Sequence, residues 1–185
     1  INEGFVANFY CKTEDYPLFN ACLFIPSTSD LNQYFLFHKF EEFDPDTALP
    51  GATVSKLLYS KIDLNSNNGF GDIVEKNKVA INKYLSGGDL TATKNINNKD
   101  WWIVVPGRGN NNYYSLLFNS IEIQEIVETK IGLTMGIQDD GGSQSCYSPD
   151  GTKYARMVPS DGLFIMDFDR TTGKFSNFIN IKTGK

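Results

Sequence analysis

The side chains best suited to ligand chemistry in this chain are two adjacent tryptophans, Trp101 and Trp102. A flat indole face can stack on a sugar ring or a cation. Consecutive strand residues point to opposite sides of a sheet, so only one of the pair can serve a given face. Filling the space between sheets is the competing use of both. Asp167-x-Asp169-x-Thr171-x-Gly173 gathers oxygens of the kind calcium takes. The run lacks the bidentate acid that ends an EF-hand loop, and a hairpin turn accounts for the same residues. No metal site and no cofactor are therefore assigned. Asp139 and Asp140, ahead of Gly141-Gly142, read as a solvated loop.

Other chemistry finds weaker footing. His38 is the only histidine, at the end of an apolar run with no evident Ser or Cys partner, and reads as a core or strand-edge residue. Arg108 lies in Pro106-Gly107-Arg108-Gly109-Asn110, which lacks phosphate-loop spacing and is followed by no helix, so it reads as a hairpin loop. The three cysteines, Cys11, Cys22 and Cys146, cannot all pair within one chain. Cys11 and Cys22 could close a small loop in an oxidising compartment; otherwise all three serve as buried small hydrophobes. No Cys-x-x-Cys pair is present to start a zinc site. Ser148-Pro149-Asp150-Gly151 fails the spacing of a sialidase Asp box, and paired glycosidase carboxylates cannot be identified without their separation in space. No residue is assigned a catalytic role, and the chain is read as a non-enzyme.

The elements that must carry these residues are short strands. The chain has 185 residues, the size of one domain, with 41% hydrophobic and 14% aromatic side chains, enough for a packed core. Its 17 basic and 22 acidic residues give a formal net charge of −5, which argues against nucleic acid or an anionic lipid surface as partner. No apolar run approaches the ~20 residues a transmembrane helix needs. The chain opens on Ile1 with neither an initiator Met nor a signal-peptide pattern, which reads as a processed product or a segment of something longer.

Between dense Gly, Pro and Asn punctuation lie runs rich in aromatic and β-branched residues. Strands are predicted over Ala21–Ile25, Gln33–Lys39, Lys56–Asp63, Leu90–Asn95, Trp101–Val105, Tyr113–Phe118, Gln124–Glu128, Gln144–Tyr147, Lys153–Met157, Leu163–Asp167 and Phe175–Ile181. From Asp72 to Leu85, apolar residues fall near helical spacing, and a strand followed by irregular or helical structure is expected there. A strand–turn–strand unit recurs three times, at Leu23–Phe37, Thr91–Val104 and Cys146–Ala155. Each is followed by a further apolar strand, anchored by Tyr59, Tyr114 and Phe164, which stand 55 and 50 residues apart. Four strands per unit at about this period is the pattern of a β-propeller blade.

The third unit, Cys146-Tyr-Ser-Pro-Asp-Gly-Thr-Lys-Tyr-Ala155, resembles the Ser-Pro-Asp-Gly hairpin of WD-repeat-like bacterial propellers. Pro149 fixes φ, Asp150 caps the turn, Ser148 opens it, and Gly151 supplies the left-handed residue. Gly162–Asn177, Leu58–Asp63, Gly69–Asn77 and Leu90–Ile103 extend the likeness over roughly residues 20–181. Together these are similar to large secreted bacterial propeller proteins that carry a type IX secretion sorting tail. The resemblance implies an extracellular or cell-surface address, but no reaction. Closed propellers have about four to eight blades, whereas about three are read here.

The expectation is thus an all-β, single-domain chain over residues 1–185. It would form about three blades of four-stranded antiparallel sheet, near 18–85, 88–135 and 142–185, a partial or open propeller. It would belong to a larger propeller or complete itself by association. The function expected is a non-catalytic scaffold for an unidentified protein or glycan partner, with a carbohydrate-binding propeller or part of a carbohydrate-active enzyme as the alternative.

Overall fold

The computed structural model describes residues 21–44, 51–137 and 142–183, and their regular structure is almost entirely strand. Twelve strands form three antiparallel four-stranded sheets, each a meander in chain order. Sheet A contains β1 (Cys22–Pro26), β2 (Gln33–Asp44), β3 (Gly51–Asp63) and β4 (Asp72–Leu85). Sheet B contains β5 (Thr91–Lys94), β6 (Trp101–Pro106), β7 (Asn112–Phe118) and β8 (Ile123–Lys130). Sheet C contains β9 (Gln144–Tyr147), β10 (Lys153–Val158), β11 (Gly162–Asp169) and β12 (Lys174–Ile181). Three successive four-stranded meanders packed face to face make a partial, propeller-like arc, as the sequence predicts. No helix of the described residues is long and apolar enough to cross a membrane.

Sheet B sits in the middle. Its one face, with Ile103, Val105, Tyr114, Leu116 and Phe118, packs against Phe35, Phe37, Leu57 and Tyr59 of sheet A. Phe118 meets the rings of Phe35, Phe37 and Tyr59 edge-on, with centroids 4.8, 5.2 and 5.4 Å away. Its other face, with Trp102, Val104 and Tyr113, packs against Tyr154, Met166, Phe168 and Phe175 of sheet C. Alternation along the strands makes this two-sided burial possible: β6, β7 and β8 each send apolar side chains both ways.

The three units superpose through their first hairpins. Ser27, Asn95 and Ser148 each donate a backbone N–H to the carbonyls of Gln33, Asp100 and Lys153 respectively. Tyr34, Trp101 and Tyr154 are therefore equivalent, and so are the next residues, Phe35, Trp102 and Ala155. On the third strands, pairing with this row matches Lys61, Leu117 and Ile165. Tyr59, Tyr114 and Phe164 are thus out of register as repeat anchors. Tyr59 points from sheet A into sheet B, whereas Tyr114 points back toward sheet A, because a slip of one residue reverses the face.

Asp72–Leu85 is strand throughout, with no helical part. Its outward and inward residues alternate until Asn77, whose φ of +55° marks a bulge, and the pairing with β3 shifts register repeatedly around it. The bulges break the two-residue period and leave apolar residues at spacings that imitate a helix.

Candidate functional site

The hairpin turns at one end of sheets B and C enclose a cleft of about 460 Å³. Trp101, Lys94 and Asn98 come from sheet B and its hairpin, while Ser148, Pro149, Asp150 and Arg170 come from sheet C. Four residues singled out by sequence therefore meet here: Trp101, Ser148, Pro149 and Asp150. Gly151 is buried beside them. Its φ is +72°, and a Cβ on it would lie 2.3 Å from Thr93 Oγ1, so both backbone freedom and close approach require glycine.

The Ser148–Gly151 turn organises itself. Ser148 Oγ donates to Asp150 Oδ1 at 2.6 Å, the Thr152 amide donates to the same oxygen at 3.1 Å, and Thr152 Oγ1 donates to Oδ2 at 2.9 Å. The Ser148 hydroxyl and then the Thr152 donors hold the Asp150 carboxyl down to about 2. Lys153, next in the strand, is ion-paired with Asp167.

Arg170 is the residue that sequence reading missed. Its Nε donates to the Lys94 carbonyl at 2.8 Å, one terminal nitrogen to the Asp150 carbonyl at 3.1 Å, and the other to the Asn95 carbonyl and Asn98 Oδ1 at 3.1 and 3.0 Å. One guanidinium thus ties the β11–β12 turn to both first hairpins. The Arg170 carbonyl in turn accepts the Trp102 indole N–H at 2.9 Å. The only sequence signal was a cation in an Asp-Arg-Thr-Thr-Gly turn, which says nothing of partners some 75 residues away.

The two tryptophans part company. Trp102 is fully buried between sheets B and C and presents no ring face to solvent. Trp101 is half-buried, leans on the A–B core, and carries the Lys94 ammonium 3.8 Å from its ring centroid. Burial lowers the Lys94 pKa, with Asp100 opposing. A ligand stacking on Trp101 has to displace that ammonium or share the edge of the ring.

The remaining candidates are placed as follows. Asp167 receives Asn177 Nδ2 at 2.8 Å besides Lys153, and Asp169 receives the Thr171 amide at 2.8 Å and the Thr172 hydroxyl at 2.7 Å. Asp167 is thus held by residues of the two neighbouring strands and Asp169 by donors of its own turn, rather than their oxygens being pooled around a common centre. His38 is buried in β2, and burial pushes its pKa down. Arg108 does lie in the β6–β7 loop, with its guanidinium on Thr53 Oγ1. Cys22 and Cys146 are exposed, contrary to the burial expected of them: each lies on the outward side of a first strand, Cys22 beside His38 in sheet A and Cys146 beside Ala155 in sheet C. Cys11, and with it the Cys11–Cys22 pairing, lies outside the described residues, as do Asp139 and Asp140.

A second polar cluster forms at the opposite end, where the A–B linker turns. Arg156 of β10 donates through Nε to Asp89 Oδ2 at 2.9 Å, and its Nη2 reaches both Ser86 Oγ and Ser143 Oγ. Lys39 of β2 donates to the Ser86 carbonyl at 2.7 Å and to the Gly88 carbonyl. Residues of sheets A and C thus both hold the linker that leads into sheet B. Burial opposes the charge on Arg156, yet Asp89, with the Tyr113 and Tyr154 phenols, keeps its pKa above the ordinary arginine value.

No family model matches the chain, and no curated protein does. Among solved structures, the chain is similar to a "putative 6-phosphogluconolactonase" from Bacteroides fragilis, at 15% identity and a TM-score of 0.49. The match covers 80% of this chain and 51% of that one, so this chain spans about half that protein's length, and no activity is carried across.

Proposed function

We propose that the chain is a non-catalytic interaction scaffold, a propeller-like arc that meets a protein or glycan partner through the loop cleft between sheets B and C. One observation supports this reading above the others. The ionisable groups of that cleft are tied into the architecture: Arg170 is bound to backbone carbonyls and Asn98, and Asp150 is bound within its own turn. Groups held this way give a rigid, polar, pre-organised surface, and pre-organisation lowers the cost of binding. A secreted, cell-surface address belongs to the same proposal and rests on the likeness of the Ser148–Gly151 hairpin to secreted bacterial propellers.

A glycan-binding reading has one observation in its favour, the presence of Trp101 in the cleft beside hydrogen-bonding Asn98 and Asp150. The test is a titration with a polysaccharide panel, with and without calcium, following tryptophan emission. A saturable shift in the wild type that is lost in Trp101→Phe assigns the cleft to a glycan. A flat response from folded protein leaves a protein partner. Turnover of any polysaccharide, or of a sugar lactone of the kind named in the structural neighbour, overturns the non-catalytic reading.

A further inference from the structure

His38 is buried against its own chemistry. It is 3% exposed, and neither Nδ1 nor Nε2 makes a hydrogen bond among the described residues. A buried polar group without a partner opposes folding, which an apolar side chain in its place would not do. Phe37, the preceding residue of β2, points into the core between sheets A and B, so His38 points to the other side of sheet A. There it has a neighbour that the sequence did not suggest, because β1 places Cys22 directly opposite it. The Lys39 amide bonds the Ala21 carbonyl at 3.0 Å, and the Ser27 amide bonds the Gln33 carbonyl at 2.9 Å, so odd-numbered residues hold the hydrogen-bonded positions of this ladder. Cys22 and His38 form one of the pairs in between, where Cα atoms approach to about 4.5 Å and side chains stand closest. Cys22 is exposed, so solvent reaches the thiol but not the imidazole beside it.

Asn77 adds a third group. At the β4 bulge its φ is +55°, and its amide donates to Ser60 Oγ at 3.1 Å. Ser60 pairs with Leu36, two residues from His38 and on the same side of the sheet. Asn77 acts on the His38 ring, opposing the effect of burial on its pKa, and Asn77 Oδ1 is itself buried without a hydrogen bond among the described residues. A ring N–H turned to that oxygen fixes the tautomer and leaves the other nitrogen to accept the thiol proton. Burial is the larger influence and keeps the ring neutral at pH 7, the form that can take a proton. Besides the thiol, the titratable group nearby on this side among the described residues is Lys56, whose ammonium lies over the Phe40 ring one row away.

We propose that Cys22 is a covalent-modification site, a nucleophilic thiol with His38 as its base and small disulfides as its substrate class. The thiol proton passes to a ring nitrogen of His38 while the sulfur attacks one sulfur of the disulfide. The S–S bond of the incoming molecule breaks, a mixed disulfide forms on Cys22, and the departing thiolate takes up the proton. The disulfide is the oxidant: Cys22 is oxidised, and one half of the disulfide leaves reduced as a thiol. Only the thiol has to be reached by a small molecule, whatever the loop cleft binds. Cys146 provides the contrast within the same chain, since it is also exposed but stands opposite Ala155 and has no imidazole across from it.

The test is reaction of the reduced 185-residue chain, carrying Cys11→Ser, with the small disulfide dithiodipyridine after the reductant is removed. Mass spectrometry of quenched digests follows Cys22 and Cys146 separately. At pH 6.5 an unassisted thiol is about 1% thiolate, and at pH 8.5 about half. Cys22 is therefore expected to react about tenfold faster than Cys146 at the lower pH, with the ratio narrowing at the higher one. His38→Leu is expected to bring the two rates together at both pH values, in a chain with an unchanged far-UV spectrum. His38→Gln, polar but without a base, serves where the apolar variant fails to fold. Equal rates at pH 6.5 in the His38 chain overturn the proposal. So does a lead of Cys22 that is independent of pH, or one that survives in either His38 variant.

Discussion

Arg156→Met tests how the sheets are held together. Arg156 and Asp89 are 2% and 0% exposed, and two guanidinium nitrogens each approach Asp89 Oδ2 to 2.9 Å. Asp89 Oδ1 has no hydrogen-bond partner among the described residues, and the hydrogen bonds to that buried carboxylate converge on Oδ2, shared by Arg156, Ser86 and Ser143. Removing the guanidinium leaves two hydroxyls facing a charge that burial has stripped of water. Breaking a buried pair from one side costs about 3–5 kcal/mol. For a domain of this size, each kcal/mol moves Tm by about 2–4 °C, so a loss of about 6–20 °C is expected.

The discriminating variant is the double one. Asp89 has φ +68°, a left-handed conformation that Asn tolerates far better than Leu or Ala. Arg156→Met combined with Asp89→Asn removes both charges without straining that turn, and is expected to recover most of the loss, since replacing a whole buried pair is often near neutral. Thermal and urea unfolding of the wild type, both single variants and the double variant complete the cycle. Arg156→Met that costs less than about 1 kcal/mol, against the 3–5 expected for a lone buried charge, refutes the reasoning. So does a double variant whose loss is the sum of the single ones.

Two further outcomes follow from the turns. Gly173 has φ +69°, and a Cβ there would lie 2.6 Å from the buried Trp102 ring, so Gly173→Ala is expected to cost about 1–3 kcal/mol of overpacking and to red-shift tryptophan emission; unchanged unfolding would show that the turn relaxes freely. Asp150 has its pKa held at about 2 in the folded chain, against 3.8 ordinarily. Its contribution to stability is complete above pH 3.8 and is lost as pH falls through about 2. The drop in Tm between pH 4 and pH 2 is expected to be shallower in Asp150→Asn, and an identical slope would remove Asp150 from the acid response.

What sequence could and could not reveal divides along the range of the interactions. The Ser148–Gly151 hairpin was legible because every bond that makes it joins residues at most five apart. The strand positions were legible for a related reason: turn residues punctuate the chain at each reversal, and the runs between them have strand composition. β4 was not, because its pattern answers to bulges against β3 and not to its own alternation. Trp101 and Trp102 could be assigned to opposite sides of a sheet, yet which side was closed depended on sheet C, whose Phe168 lies 66 residues further along the chain. Arg170 and the Arg156–Asp89 pair were invisible for the same cause, with partners 67 to 76 residues away. In a protein of repeated sheets, local sequence writes each sheet and distant sequence writes the junctions. The cleft that we propose meets a partner is itself a product of a junction, drawn from the hairpins of sheets B and C.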